Sequence, residues 1–299
     1  MFGARVAQFL KELKNEISDH NVYNGAAALA FYMMLSIFPA AIVGLGLLPY
    51  LPIPHLDQAI MDLVGQVLPR QSATLFTGVV KSVTSQRHTG IVSFGLLFLL
   101  WSASSGLYAI MQQLNITYEV KEGRPFWKLR ATALVLMLLF FILVVGGFGL
   151  IVSGGEIRVW LGNLIGWSGP LLVFFEIFRW VIVALLLLTA FATIYYFGPD
   201  VEQKFRFISP GSLFGVVFLA LASIGFRVYV ANFSNYSATY GSLGAVIVLQ
   251  MWFYIGGLVI LAGSEVNVLL EHRHPAGKNK GHKVKPGAPR AGGKPGRRQ

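Results

Sequence analysis

Long, mostly apolar runs dominate this chain, at residues 26–50, 91–116, 131–152, 171–197, 209–229 and 243–270. About 20 apolar residues at 1.5 Å each cross the roughly 30 Å of a bilayer's hydrocarbon, so each run predicts a membrane-spanning helix. The runs do not alternate with period two, which argues against a β-barrel. Pro39 interrupts the first run late, and Pro49, Pro52 and Pro54 mark its end. The fold class expected is all-α: a polytopic helical bundle with six transmembrane helices and short amphipathic helices.

Between the runs the pattern changes from continuous to helical. Phe2, Val6, Phe9, Leu10, Leu13 and Ile17 share one face of a helix with charges between them, which describes an amphipathic N-terminal segment and not the apolar core of a signal peptide. Such a face either lies in the membrane interface or packs under the bundle. In the loop 51–90, Leu56, Ile60, Leu63, Val64 and Val67 form one stripe, and Leu75, Val79, Val80 and Val83 form a second beyond Pro69. The organisation expected is an amphipathic segment 1–25, a six-helix membrane domain 26–271 with an outer amphipathic loop 51–90, and a polybasic tail 272–299.

Composition supports this division. Hydrophobic residues make up 55% of the 299 and charged ones 12%, against roughly 25% charged in an ordinary soluble chain. That is too little charge to cover a water-soluble domain of this length. With no cysteine, disulfides, thiolate metal sites and cysteine nucleophiles are excluded. Of the net +11, nine Lys and Arg lie from residue 273 onward without an acid, leaving 15 basic against 13 acidic residues in the remainder. The tail has almost no large apolar residue and is expected to be disordered and drawn to anionic headgroups. Nucleic-acid binding is not expected of it, because no aromatic residue interleaves its charges.

Counting Lys and Arg on the two sides of the six spans gives 18 on the side of the termini and six on the other. The positive-inside bias then places both termini in the cytoplasm. Without the tail the count is nine against six.

Candidate chemistry is sparse. The histidines at 20, 55, 88, 272, 274 and 282 are scattered over termini and loops. None is read as paired at helical spacing with a carboxylate, so neither a metal nor a cofactor site is expected. Ser102, Ser104 and Ser105 have no base in their segment and read as a close-packing patch. Charge within the apolar spans is costly and marks a functional candidate. Glu176 and Arg179 lie three residues apart on the fourth span and are placed to pair. Arg227, near the outer end of the fifth span, is placed to snorkel toward the interface. Gln250 lies within the sixth. Glu265, flanked by Ser264 and Asn267, sits near that span's cytoplasmic end and reads as an interfacial acid close to basic loops. If Arg179 and Arg227 face inward, they and Glu176 leave a positive surplus suited to a phosphate or carboxylate headgroup.

Several stretches also resemble a known family. They are Ala-Leu-Ala-Phe-Tyr at 28–32 followed by Leu-Ser-Ile-Phe-Pro at 35–39, and residues 101–118 ending in Asn-Ile-Thr-Tyr. A longer stretch begins at Pro210 and Gly211 and runs through Gly-Phe-Arg-Val-Tyr at 225–229, Asn-Phe-Ser-Asn-Tyr at 232–236 and Thr-Tyr-Gly-Ser at 239–242, then Trp252 and Leu-Ala-Gly-Ser-Glu-Val-Asn at 261–267. Over residues 5–272 the chain resembles the YihY/BrkB family of bacterial inner-membrane proteins. The resemblance implies six membrane helices in the inner membrane. Family members carry ribonuclease BN, virulence or serum-resistance labels, and are discussed in connection with envelope lipid transport. The ribonuclease label fits this sequence poorly, because no His and Asp cluster is evident to hold catalytic metals.

Two roles follow as expectations. One is a non-enzymatic transporter or translocation factor for an anionic lipid or related amphiphile, with membrane lipids as the partner. The other is a membrane scaffold that recruits envelope partners.

Overall fold

A computed structural model describes residues 2–47, 89–165, 169–203, 205–232 and 242–273. These form seven helices: α1 (Phe2–Asp19), α2 (Val22–Leu47), α3 (Thr89–Thr117), α4 (Phe126–Ile165), α5 (Gly169–Phe197), α6 (Pro210–Asn232) and α7 (Ser242–Arg273). No strand occurs among the described residues. Six of the helices, α2 to α7, are long and apolar enough to cross a membrane. The helices overrun the apolar runs at several ends, because a helix satisfies its own backbone hydrogen bonds and need not stop where the apolar run does. The loop 51–88, the segment 233–241 and the tail from residue 274 lie outside the described residues.

The chain divides into two compact units, Tyr32–Ala103 and the combination of Met1–Phe31 with Ser104–Gln299. The smaller contains the second half of α2 and the first half of α3, where Gly95 lies against Ile42 and Val43. Pro39 is accommodated within α2.

Several helix ends of the larger unit are capped within the described residues. Asn21 links α1 to α2 with φ 53°, a left-handed conformation that Asn tolerates better than most residues. At the end of α3, Val120 N donates to Asn115 O and Glu119 N to Ile116 O, both at 2.9 Å. This is a Schellman closure with Glu119, at φ 54°, in the place usually taken by glycine. Ser209 begins α6 by a reciprocal cap: its Oγ accepts from Ser212 N at 3.0 Å, while Ser212 Oγ accepts from Ser209 N at 2.9 Å.

Helices α4 and α5 pack together, as do α6 and α7, and α5 also meets α6. Close approach depends on small residues, as is usual where lipid supplies no hydrophobic drive between helices. A Cβ on Gly211 would run into the backbone carbonyl of Gly263, and one on Gly263 into the Tyr195 hydroxyl. Tyr195 donates across this junction to Ile260 O at 2.7 Å, and Asn267 Oδ1 accepts from Gly211 N at 2.7 Å. The apolar face of α1 packs on the end of α7: Leu13 is buried with Val266 and Leu269, and Phe9, Ile17 and Phe214 surround them. Large side chains such as Phe141, Phe174, Phe178, Leu221 and Ile224 remain on the outside, where a bilayer would receive them.

Candidate functional site

Polar side chains collect at two levels of the larger unit. The first is a belt at the end shared by α1, the end of α3, the end of α5, the start of α6 and the end of α7. Glu265 on α7 is its most enclosed charged member, only 1% exposed. Its carboxylate accepts from Thr117 Oγ1 at 2.8 Å and faces His20 Nδ1 at 3.0 and 3.1 Å. The other ring nitrogen, Nε2, lies 3.5 Å from Glu16. The hydrogen bond with Glu265 raises the pKa of His20 above its ordinary value; partial burial opposes the rise, and the charges of Glu265, Glu16 and Glu119 add to it. Gln113 holds the turn in place, donating to His20 O at 2.6 Å while its side chain lies over Gly25.

Two expectations are corrected here. Glu16 and His20 are a helix-spaced pair, four residues apart at the C-terminal end of α1, where the apolar face of the segment hides them. Glu265 meets a histidine and a threonine hydroxyl, not the basic loops: α1 folds back onto α7 and delivers His20 to it.

Beside this cluster, the loop between α3 and α4 closes the end of α5. The last carbonyls of a helix have no intrahelical donors, and side chains supply them here. Arg124 donates to Phe197 O at 3.2 Å and Gly198 O at 2.8 Å. Gln203 donates to Tyr195 O at 2.6 Å and Tyr196 O at 3.1 Å. Arg124 also grips Glu122 through Nε and Nη2, both at 2.8 Å. Burial pushes the Glu122 carboxyl up, but hydrogen bonds from the Arg124 side chain and backbone and from Asn115, with the Arg124 charge, bring it down to about 2. Asn115 joins the two sides, donating to Glu122 at 2.8 Å and accepting from Asp200 N at 2.7 Å. Burial, with a smaller effect from Glu271, raises the pKa of Tyr118, whose hydroxyl donates to Gln203 at 3.3 Å.

The second level is inside the span. Glu176 and Arg179 form an ion pair on α5, with Trp180 Nε1 donating to Glu176 at 3.1 Å and its ring 5.5 Å from the guanidinium. The Arg179 side chain is 11% exposed, and its Nε is buried without a hydrogen-bond partner. Gln250 Oε1 on α7 is likewise buried and unpartnered. Arg227 on α6 is exposed.

Helix register brings these residues to one depth. Gly215 of α6 meets Phe191 of the antiparallel α5. Twelve residues from that contact along each helix, about 18 Å at 1.5 Å per residue, stand Arg179 and Arg227. On the other side of α6, Tyr229 reaches Met251 at 3.8 Å and Phe226 packs on Trp252 at 5.1 Å. Gln250 is therefore within about a turn of Arg227 along the α6–α7 contact. Four of the five candidate residues, Glu176, Arg179, Arg227 and Gln250, thus share one band, with two cations against one acid. Glu265 is fifteen residues from Gln250, about 22 Å along α7, and belongs to the belt.

Comparison with known proteins agrees with this architecture. The family profile described as virulence factor BrkB matches residues 13–288. A Bacillus subtilis (strain 168) protein named "Putative ribonuclease-like protein YfkH" is 36% identical over 265 residues, covering 89% of this chain and 96% of its own. A "UPF0761 membrane protein" of Aeromonas salmonicida (strain A449) is 27% identical over 260 residues, 84% of each chain. One of the same description in Xanthomonas campestris pv. campestris (strain B100) is 24% identical over 277 residues, 88% of this chain and 60% of the longer relative. No solved structure matches. With a profile match spanning most of its length and six helices able to span a bilayer, the chain belongs to the BrkB family and is a multi-pass integral membrane protein.

Proposed function

We propose that this protein is a translocation factor for an anionic lipid or related envelope amphiphile, and that the band of Glu176, Arg179, Arg227 and Gln250 receives the charged headgroup. The observation that carries this reading is Arg179: a guanidinium in the membrane span, mostly enclosed, with one buried donor unpartnered. An arginine whose only task is to neutralise Glu176 would cost less if every donor were met. A phosphate or carboxylate is the natural acceptor for the remaining donor, and the surplus cation at the same depth favours an anion. Gln250 offers a further polar contact to a headgroup's hydroxyl or amine.

In the orientation that the positive-inside bias favours, the belt and both termini face the cytoplasm. The band then lies toward the outer half of the bilayer, where a headgroup crossing between leaflets would need a polar foothold. Exposed apolar side chains on α5 and α6 provide the surface along which acyl chains remain in lipid.

The test is native mass spectrometry of the full chain released gently from vesicles containing phosphatidylglycerol, comparing wild type with Arg179→Ala and Arg227→Ala. Retention of one anionic lipid per chain, weakened at least about tenfold in a folded variant, supports the band as a headgroup site. Equal retention by both variants would sink it. Leaflet exchange of a labelled lipid in reconstituted vesicles then distinguishes translocation from static binding. Exchange no faster than in protein-free vesicles would leave the scaffold role in its place.

A further inference from the structure

We propose that Glu16 and His20, with Glu265 positioning the His20 ring, form a site for a single divalent transition-metal ion, zinc being the best match, in a cavity whose wall includes His272. This site belongs to the belt and is independent of the lipid reading.

Three observations converge on it. Glu16, His20 and Glu265 each bring one ligand-capable atom within 4.8 Å of the others. They border a cavity of about 10 Å³, also lined by Thr117, Glu119, Val268, Leu269 and His272. That is room for about one water or one ion. The third observation is the spacing between Glu16 and His20. At 3.5 Å, carboxylate oxygen and Nε2 are beyond a good N–H to O hydrogen bond. Zinc bonds of about 2.0–2.1 Å in a tetrahedral site separate neighbouring donors by about 3.4 Å. The pair is thus poorly spaced to share a proton and well spaced to share an ion.

The arrangement of Glu265 fits the same chemistry. A metal-bound histidine commonly gives its other ring N–H to a carboxylate, which fixes the tautomer and makes the ligating nitrogen more basic. Glu265 faces Nδ1 with both oxygens, at 3.0 and 3.1 Å, and is itself fixed by the Thr117 hydroxyl. Nε2 is therefore the nitrogen aimed at Glu16. On α7, residues 265 and 272 are seven apart and share a face, so the helix that orients His20 also brings His272 to the cavity. Imidazole nitrogen with carboxylate oxygen favours zinc and neighbouring first-row ions over magnesium or calcium, which prefer oxygen throughout. A bound ion would clamp the end of α1 to the end of α7, next to the apolar contact of Leu13 with Val266 and Leu269.

The test uses the full chain in detergent, stripped with chelator and titrated with zinc by calorimetry, and with cobalt(II) for its visible absorption. Wild type is expected to bind one ion per chain and to unfold at a higher temperature when loaded. Glu16→Gln, at a part-exposed position that does not endanger folding, and His20→Gln should each weaken binding at least tenfold. Glu265→Gln should keep the one-to-one stoichiometry with affinity down about 10- to 100-fold. The double variant His274→Ala with His282→Ala should bind like wild type. The proposal is overturned if folded wild type takes up no ion, if Glu16→Gln binds as tightly as wild type, or if uptake follows the tail histidines. Unchanged affinity in Glu265→Gln would remove its positioning role.

Discussion

Arg124 is the residue whose removal tests the belt most directly. Its guanidinium makes four side-chain hydrogen bonds, two to Glu122 and one each to the carbonyls of Phe197 and Gly198. Replacing it with alanine leaves the two carbonyls at the end of α5 without this donor and Glu122 without its cation. The bond to the half-buried Gly198 carbonyl is charge-assisted, worth about 1.5–3 kcal/mol. The Phe197 bond is longer and exposed, and water replaces most of it. The ion pair, with side chains 13% and 23% exposed, adds about 1 kcal/mol after allowance for solvent. Arg124→Ala should therefore destabilise the folded chain by about 3 kcal/mol. Arg124→Lys should lose about 2 kcal/mol, since one ammonium cannot reproduce a fork that spans a carboxylate and two carbonyls. The assay is equilibrium unfolding in mixed micelles, followed by tryptophan fluorescence. The pH dependence supplies a second check. Glu122 is held near 2, below the 4.5 of a free glutamate. Its stabilisation is complete above about 4.5 and is lost as pH falls toward 2. The gap between wild type and Arg124→Ala should narrow over that range. A loss below 1 kcal/mol, a lysine variant equal to wild type, or a gap indifferent to acid would mean that Arg124 does not hold the end of α5 through this fork.

Three further substitutions probe separate contacts. Gly211→Ala drives a methyl into the Gly263 carbonyl, and the α6–α7 junction should lose about 1–3 kcal/mol in thermal unfolding; a neutral result would mean the crossing is looser than described. Thr117→Val keeps the shape but removes a donor to the enclosed Glu265 carboxylate. It should cost about 1.5–3 kcal/mol by the same micelle titration, and a stability equal to wild type would argue that the carboxylate does not rely on that hydroxyl. Asn115→Asp keeps the acceptor for Asp200 N but turns the donor facing Glu122 into an oxygen. A loss of about 2 kcal/mol that shrinks on acidification is expected, and a loss independent of pH would remove charge repulsion as its cause.

The spans are legible in the sequence because crossing hydrocarbon is a local requirement: about 20 apolar residues suffice, whatever the neighbours do. Glu176, Arg179, Arg227 and Gln250 stand out for a related reason, since polarity in such a run is conspicuous. Their common depth is not legible. It depends on Gly215 meeting Phe191 and Tyr229 meeting Met251, and helix register is a property of packing. The belt is harder still. Thr117 looks like any residue near a helix end, and Arg124 counts in the sequence only as a positive charge. His20 and Glu265 are 245 residues apart. Only the Glu16 and His20 spacing is visible along the chain, and there it is set at the end of a helix dominated by its apolar face.

The two levels differ in a way that bears on function. In the belt, polar groups answer one another: Glu265 has His20 and Thr117, Asn115 has Glu122 and Asp200, and the last carbonyls of α5 have Arg124 and Gln203. The band inside the span holds both of the buried side-chain atoms that lack a hydrogen-bond partner among the described residues, Arg179 Nε and Gln250 Oε1. The penalty for an unmet polar atom is greatest where water is absent. A device for stability alone would therefore place its incomplete bonding at the wet end and its complete bonding in the hydrocarbon. This chain does the reverse, which is the arrangement expected of a structural belt holding a site that a ligand completes.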